Sequence, residues 1–266
     1  MPTSSGGDGR TRTLTAEPEA APVVPASRRA MNGLRLAVID DRDGPLPALL
    51  VALTVLAGVV DAASILGLGH VFVATMTGNL VFVGLAVAGA KGFTIAPCLL
   101  SIGGFIVGAL AGGHACHTGG GHRGRALRNV LAVKLVLAAA VTAIIVAVGD
   151  HPGSGARDVA IVLLATSMGC QLAAIRFLKV PDLLTVVLTL TITGALTERG
   201  LGVFHPAVLR RAIAVLAFAV GAIAGGLLVV NVGLAAALGL GLAIIVAVAI
   251  AARLVARSSE DWTKRR

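Results

Sequence analysis

Eight long apolar runs dominate the sequence and limit this chain to a small set of folds. The runs are 46–66 (segment A), 71–89 (B), 93–113 (C), 127–148 (D), 159–178 (E), 183–196 (F), 212–230 (G) and 233–255 (H). About 20 apolar residues in a helix span the hydrocarbon of a bilayer, so most of these runs are candidate transmembrane helices. With 56% hydrophobic and 13% charged residues, the chain has too few polar side chains to cover a soluble domain of this size. The sequence therefore predicts an all-α, polytopic membrane protein.

Two of the eight runs are poorly suited to a full crossing. Segment F lies between Asp182 and Glu198 and is too short to span the hydrocarbon. Segment B is long enough, but polar or turn-forming residues interrupt its centre, namely Thr75, Thr77, Gly78 and Asn79. We therefore expect six full transmembrane helices plus two broken or re-entrant segments, B and F.

The distribution of Lys and Arg favours six crossings over eight. If all eight segments crossed, the basic C–D and E–F loops would lie outside, against the preference of short basic loops for the cytoplasm. If B and F instead enter and leave through one face, every basic cluster becomes cytoplasmic, and only Lys91 and the weakly charged D–E loop with Arg157 stay outside. Eight crossings remain the alternative. The six-crossing topology predicts a multi-pass membrane protein with both termini in the cytoplasm.

The tails and the net charge complete the domain organisation. We assign residues 1–45 to a disordered cytoplasmic tail, with Met31 as an alternative start to Met1, residues 46–256 to the membrane domain, and residues 257–266 to a cytoplasmic C-terminal tail. The net charge of +9 suits attraction to anionic lipid headgroups, and no basic stripe with interleaved aromatic residues indicates nucleic-acid binding. We expect the lipid bilayer as a partner, no nucleic acid, and leave a homo-oligomer open.

The two halves of the membrane domain share sequence phrases. "FIVGALAGG" at 105–113 reappears as "FAVGAIAGG" at 218–226, and "TMTGNL" at 75–80 as "TITGAL" at 191–196. These matches predict two repeats, at about 46–149 and 157–255. Since each repeat would cross three times, the second must be inverted. The shared phrase and the residue before it carry small residues at helical spacing, which we assign to helix packing: Gly104, Gly108, Gly112, Gly221 and Gly225.

Two longer stretches carry a resemblance to a known family. They are "GVVDAASILGLGHVFVATMTGNLVFVGLAVAG" at 58–89 and "SMGCQLAAIRFLKVPDLLTVVLTLTITGAL" at 167–196. With the V-D-A and M-T-G-N series in the first, the chain resembles the YoaK family of bacterial multi-pass membrane proteins. The family pattern usually reads Q-N-A where this chain has Gln171, Leu172 and Ala173. The resemblance implies a six-pass or similar multi-pass protein of the bacterial inner (plasma) membrane and supplies no settled activity.

A candidate site follows from the polar residues within the apolar runs. Interrupted segments at corresponding positions of inverted repeats are typical of transporter binding sites, and an ionisable residue in a span indicates function. Asp61 would bind a cation, carry a proton or accept hydrogen bonds from a broken helix, unless it only caps the next element. The predicted substrate-binding residues are Asp61, Thr75, Thr77, Gly78, Asn79, Gln171, Thr191, Thr193 and Gly194.

These residues predict a transporter or channel for an unknown small solute or ion. The alternative is a non-transporting membrane protein that organises lipids or a partner complex. No sequence motif of an enzyme or of a cofactor site is present, so we expect neither. The predicted C–D loop has His114, Cys116, His117 and His122, but their spacing fits no standard metal site, and we predict none. We expect Lys134 to snorkel to the headgroups.

The topology can be tested by labelling a single introduced cysteine. On a background without Cys98, Cys116 and Cys170, Arg125→Cys is expected to react with a membrane-impermeant maleimide only after the cells are opened, because six crossings put the C–D loop in the cytoplasm. Lys91→Cys is the control and should react in intact cells. Labelling of Arg125→Cys in intact cells would contradict the six-crossing topology.

Overall fold

A computed structural model describes residues 43–118, 120–180 and 206–255, together with Thr263. These residues form seven helices: α1 (Leu46–Gly67), α2 (Met76–Val87), α3 (Ile95–His117), α4 (Arg123–Val148), α5 (Ser154–Leu178), α6 (Pro206–Asn231) and α7 (Leu234–Val255). Six of them are long and apolar enough to cross a membrane, and α2 is not. The predicted all-α, polytopic fold is confirmed.

Several helices extend beyond the apolar runs from which we predicted them. Helix α4 begins at Arg123 and α5 at Ser154, ahead of the runs at 127 and 159. The assignment of His114 and Cys116 to a loop was wrong, since α3 continues to His117. Helical hydrogen bonding follows the backbone and does not stop where the hydrocarbon ends, so hydropathy marks the apolar part of each helix only. Segment F, with Pro181 and Asp182, lies outside the described residues.

Helices α3 and α5 pack side by side in the same direction, with their backbones almost in contact. A Cβ atom added at Gly108 would lie 2.7 Å from Thr166 Cα, which is closer than two such atoms approach. Glycine is therefore required for the observed separation of the two helices. Thr166 Oγ1 also donates to the carbonyl of Gly104 across this interface, at 3.0 Å. The facing pairs are Gly104 with Val162, Gly108 with Thr166, and Gly112 with Cys170.

Helices α1 and α6 form a second parallel pair with the same kind of contact. A Cβ atom added at Gly225 would lie 2.6 Å from the carbonyl oxygen of Val59, and one at Gly221 would lie 2.8 Å from the carbonyl carbon of Val55. Helix α1 contributes a glycine of its own, since a Cβ atom at Gly58 would lie 2.7 Å from the amide nitrogen of Ala222. Small residues on both helices thus permit the close approach.

The directions of the helices follow from these pairs and from contacts at the two ends of the bundle. At one end, Arg123 at the start of α4 donates to Asp43, just before α1, and to the carbonyl of Leu178 at the end of α5, at 2.8 and 2.6 Å. We call this the Asp43 end. At the other end, which we call the Gly67 end, the close of α1 meets the α6–α7 turn and Asp150, which follows α4. Helix α6, parallel to α1, therefore begins at the Asp43 end, and α3, parallel to α5, begins at the Gly67 end.

The remaining long helices close the bundle around α1 and α5. Helix α4 packs on α5 and α7, and α7 packs on α1. Their contacts form one apolar core in which α1 is the most enclosed helix. At the Asp43 end, Arg123 is 3% exposed, so this charge is sequestered in an ion pair instead of facing the headgroups as a loop arginine would.

The glycine contacts predict unequal effects of two similar substitutions. Gly108→Ala is expected to destabilise the protein by about 1–3 kcal/mol, because the added methyl group meets the backbone of Thr166. Gly103→Ala is the matched control on the same helix, since its Cβ would meet nothing within 4 Å. Unfolding of detergent-solubilised protein can be followed with a thiol-reactive dye, because the three free cysteines are buried. Equal melting temperatures for the two variants would contradict the packing.

Candidate functional site

After α1 the chain turns back toward the bundle interior through an unusual backbone conformation. The amides of Leu68 and His70 donate to the carbonyls of Ser64 and Ile65, at 2.9 and 3.2 Å, which closes the end of the helix. Gly69 and His70 have φ values of 90° and 56°, a region that His enters more readily than most residues. The segment 71–75 that follows is not helical, and α2 begins only at Met76.

Asp61 holds this segment against α1. Its Oδ1 atom accepts hydrogen bonds from the amides of Val73 and Ala74, at 2.8 and 2.7 Å, and its Oδ2 atom accepts one from Thr75 Oγ1 at 2.7 Å. The side chain is almost fully buried. Both carboxylate oxygens are therefore engaged by donors that lie just before the N-terminus of α2, where the helix dipole also favours a negative charge.

Asn79 completes the pairing from the other side of the same segment. Its Oδ1 atom accepts from the amide of Phe72 at 2.8 Å, and its Nδ2 atom donates to the carbonyl of Phe72 at 2.7 Å. That carbonyl also accepts from Ser101 Oγ of α3, at 2.6 Å. The amides of residues 72, 73 and 74 are thus all bonded to buried side chains, which is what non-helical backbone requires in an apolar environment.

Gly78 is explained by an aromatic cluster over the segment. A Cβ atom at Gly78 would collide with the ring of Phe72. That ring stacks on Phe82 with centroids 5.3 Å apart, and Phe82 in turn lies 5.0 Å from Phe93. His70 joins at 6.1 Å from Phe93. The glycine therefore leaves room for the ring that shields the hydrogen-bonded segment.

The structure brings some of the predicted site residues together and separates others. Asp61 and Thr75 are in direct contact, whereas the Thr77 side chain is exposed and makes no hydrogen bond within the described residues. Gln171 Nε2 donates to the carbonyl of Leu53, which lies roughly 12 Å along α1 from Asp61 at 1.5 Å per residue. Gln171 is therefore not part of the Asp61 cluster. The predicted residues of the second half, Thr191, Thr193 and Gly194, lie outside the described residues.

Two cavities in the described part of the chain lie away from Asp61. One, of about 560 Å³, is an apolar groove on the outer side of α3 and α5, beside Gly104. The other, of about 280 Å³, is polar and lies at the Gly67 end beside Asp150 and His151. Asp150 Oδ1 accepts from the amide of Ala235 at 3.0 Å and so caps α7. Across residues 43–118, 120–180 and 206–255, no three His, Cys, Asp or Glu side chains are grouped so as to hold a metal ion.

The sequence analysis did not predict the hydrogen-bond partners of two buried polar residues, and it assigned a third to the wrong environment. Ser101 and Arg123 stood in apolar or loop stretches with no signal of a distant partner, and only the packing of α3 and α4 gives them one. The prediction that Lys134 snorkels to the headgroups was wrong. Its side chain is fully buried, and Nζ donates to the carbonyl and Oγ of Ser167, at 3.1 Å each. Lys134 lies about 16 Å from the start of α4, too deep for its side chain to reach the surface through the packed neighbours.

Comparison with known proteins assigns the family. Residues 49–251 match the family model described as "Protein of unknown function (DUF1275)". This chain belongs to the DUF1275 family. It is also 30% identical over 183 residues to the UPF0700 transmembrane protein YoaK of Bacillus subtilis (strain 168), an alignment that covers 66% of this chain and 80% of that relative. No solved structure matches significantly.

Membership of the DUF1275 family confirms the resemblance drawn from the V-D-A and M-T-G-N series. Those two phrases contain Asp61 and Asn79, the two side chains that pair the backbone before α2. The motifs on which the family resemblance rests therefore coincide with the polar cluster of the first half. The description of the DUF1275 family assigns no activity.

The hydrogen bonds to Asp61 predict different effects for two neighbouring threonines. Thr75→Val removes the donor to Oδ2 and is expected to speed hydrogen exchange of the 72–74 amides about tenfold, because it weakens a charge-assisted bond in a buried cluster. Thr77→Val, in which an exposed hydroxyl is lost, should leave exchange unchanged. Exchange measured by mass spectrometry on peptides that cover 68–80 tests both, and similar rates in the two variants would rule out the Asp61 contact.

Proposed function

We propose that this DUF1275 protein is a transporter or channel for a small solute or ion, built from two inverted repeats. The observation that carries the proposal is the equivalence of helix contacts between the two halves. It concerns the parallel pairs α1–α6 and α3–α5, which each join one half to the other.

The equivalence extends to individual residues. Gly58 of α1 faces Phe218 and Ala222 of α6, and Gly169 of α5 faces Phe105 and Ala109 of α3. Each pair also has contacts in which the other helix supplies the glycine. Gly221 and Gly225 of α6 face Val55 and Val59 of α1, respectively. Gly108 and Gly112 of α3 face Thr166 and Cys170 of α5 in the same way. Every α5 residue in these contacts lies 111 positions after its α1 equivalent, and every α6 residue lies 113 positions after its α3 equivalent. Two unrelated halves would not keep two constant offsets over three contacts each.

The helix directions support inversion of the second repeat. Helix α1 runs from the Asp43 end to the Gly67 end, and its equivalent α5 runs the other way. The same opposition relates α3 to α6 and α4 to α7. An inverted pair of repeats with interrupted segments at matching positions is a common plan for secondary transporters.

The position of α2 supports a re-entrant segment in the first repeat. Helix α1 ends and α3 begins at the Gly67 end, so the chain between them enters and leaves the bundle on one side. At 12 residues, α2 is about 18 Å long and too short to cross about 30 Å of hydrocarbon. In this proposal the basic Asp43 end faces the cytoplasm of the bacterial inner membrane.

Within this site we assign different tasks to the candidate residues. Asp61 and Asn79 fix the start of α2, since their polar atoms are already engaged by the chain itself. Thr77 is exposed beside that start and offers a hydroxyl to a solute. The proposed site therefore lies on the Thr77 side of α2.

Transport can be tested with the purified full-length protein in liposomes. We expect uptake of at least one solute from a panel of inorganic cations, inorganic anions, organic anions, amino acids and sugars, above protein-free liposomes. Thr77→Val should slow that uptake by about two- to tenfold, the effect of one lost hydrogen bond, without lowering the melting temperature. Gly113→Ala, a change into open space on α3, is the control and should transport normally.

The alternative function makes the opposite prediction. A non-transporting protein that organises lipids or a partner complex would move no solute of any class, and Thr77→Val would have no measurable effect. No uptake across the panel, with protein shown to be folded by its melting transition, would overturn the transport proposal.

A further inference from the structure

The most deeply placed basic side chain in the described bundle is that of Lys134. Among the described residues, Asp61 and Lys134 are the charged side chains that lie more than five residues from a helix end. Asp61 is engaged by donors at both oxygens, whereas Lys134 donates hydrogen bonds only to the carbonyl and hydroxyl oxygens of Ser167. The Cys170 thiol is the titratable group that lies near Lys134. No carboxylate of the described residues forms an ion pair with it.

This arrangement leaves binding capacity unused at Lys134. An ammonium group carries three N–H donors, and Ser167 accepts two hydrogen bonds. A buried charge is ordinarily compensated by an opposite charge, since neutral acceptors offset only part of its lost hydration. An intramembrane ionisable residue of this kind marks a substrate or ion pathway by default. The missing element is a negative charge.

Gln171 supplies an unused acceptor one helical turn from Ser167. Its Nε2 atom donates to the carbonyl of Leu53 at 3.0 Å, which fixes the orientation of the amide. Its Oε1 atom is buried and has no hydrogen-bond partner in the described part of the chain. Since Ser167 and Gln171 are four residues apart on α5, they lie on the same face of that helix, about 6 Å apart along its axis.

The depth of this cluster agrees between two helices. Lys134 lies about 16 Å from Arg123 along α4, and Ser167 lies about 16 Å from Leu178 along α5. Arg123 bonds the carbonyl of Leu178, so both distances start from the Asp43 end. The cluster is therefore near the middle of the long helices, where transporters place their substrate sites.

We propose that Lys134, Ser167 and Gln171 form a binding site for a small organic oxyanion that also carries an O–H or N–H donor. The anion would neutralise Lys134 and accept a hydrogen bond from its third N–H. It would do so beside the Ser167 hydroxyl or replace that hydroxyl as an acceptor. The donor of the ligand would satisfy Gln171 Oε1, which a halide or a simple carboxylate leaves unbonded. A hydroxycarboxylate has both features. This anion site is separate from the proposed transport site at Thr77. Binding of the anion at Lys134 does not depend on transport.

Matched ligands test separately, in the full-length protein, the need for a negative charge at Lys134 and the need for a donor to Gln171. Melting in detergent is followed with the thiol-reactive dye at constant ionic strength, with glycolate, acetate, chloride and uncharged ethylene glycol as probes. Glycolate is expected to raise the melting temperature by at least about 2 °C, acetate by less, and ethylene glycol not at all. Equal shifts for glycolate, acetate and chloride would overturn the proposal.

Two variants locate the effect. Lys134→Met should fold, since an apolar replacement of a buried charge is often tolerated, and it should lose the glycolate shift. Lys91→Met, the same change at an exposed loop position, should keep it. Gln171→Leu should reduce the glycolate shift to that of acetate. A full glycolate shift in Lys134→Met or Gln171→Leu would overturn the site, and Gln171→Leu decides the matter if Lys134→Met does not fold.

The outcome is separable from that of the transport proposal. A Lys134-dependent glycolate shift without any solute uptake would leave this binding site in place and refute transport. Uptake limited to cations or uncharged solutes, with no anion-dependent shift, would support transport and refute the anion site.

Discussion

Non-helical backbone in an apolar bundle is tolerated only if its amides and carbonyls are bonded internally, and this constraint explains the first half of the protein. The break between α1 and α2 leaves the amides of residues 72–74 without helical partners. Asp61 and Asn79 accept all three of these hydrogen bonds, and Ser101 shares the carbonyl of Phe72 with Asn79. Without these side chains the segment would have to become helical or leave the bundle.

The two halves differ in this respect, although their helix packing is equivalent. At the offset that relates α1 to α5, Asp61 corresponds to Leu172, and at the offset between the TMTGNL and TITGAL phrases, Asn79 corresponds to Ala195. Both of the anchoring side chains of the first half are thus replaced by apolar residues in the second. The proposed repeat symmetry rests on the glycine contacts, and the polar residues do not share it, with an aspartate in α1 and a lysine in α4.

The sequence could predict the class of fold and the location of the break, because both depend on local composition. Hydropathy identified the six long helices, and the Thr-Gly-Asn interruption marked where α2 begins. The partners of polar residues could not be predicted in the same way. Lys134 looked like a headgroup anchor from its distance to the end of the apolar run, and its burial depends on Ser167 of another helix. The sequence also could not show whether Asp61 binds a ligand or the chain itself. Its partners are the amides of Val73 and Ala74, which reach Asp61 only because the chain turns back after α1.

The close helix pairs at the glycines also limit when the packing of the bundle can form during synthesis and membrane insertion. Each close-packed pair takes one helix from each half, so neither half contains both members of a pair. When α1 and α3 have entered the membrane, Gly58, Gly108 and Gly112 face no protein surface until α5 and α6 have followed. The first four helices therefore lack their closest-packed partners, which become available only after α5 and α6 have been synthesised.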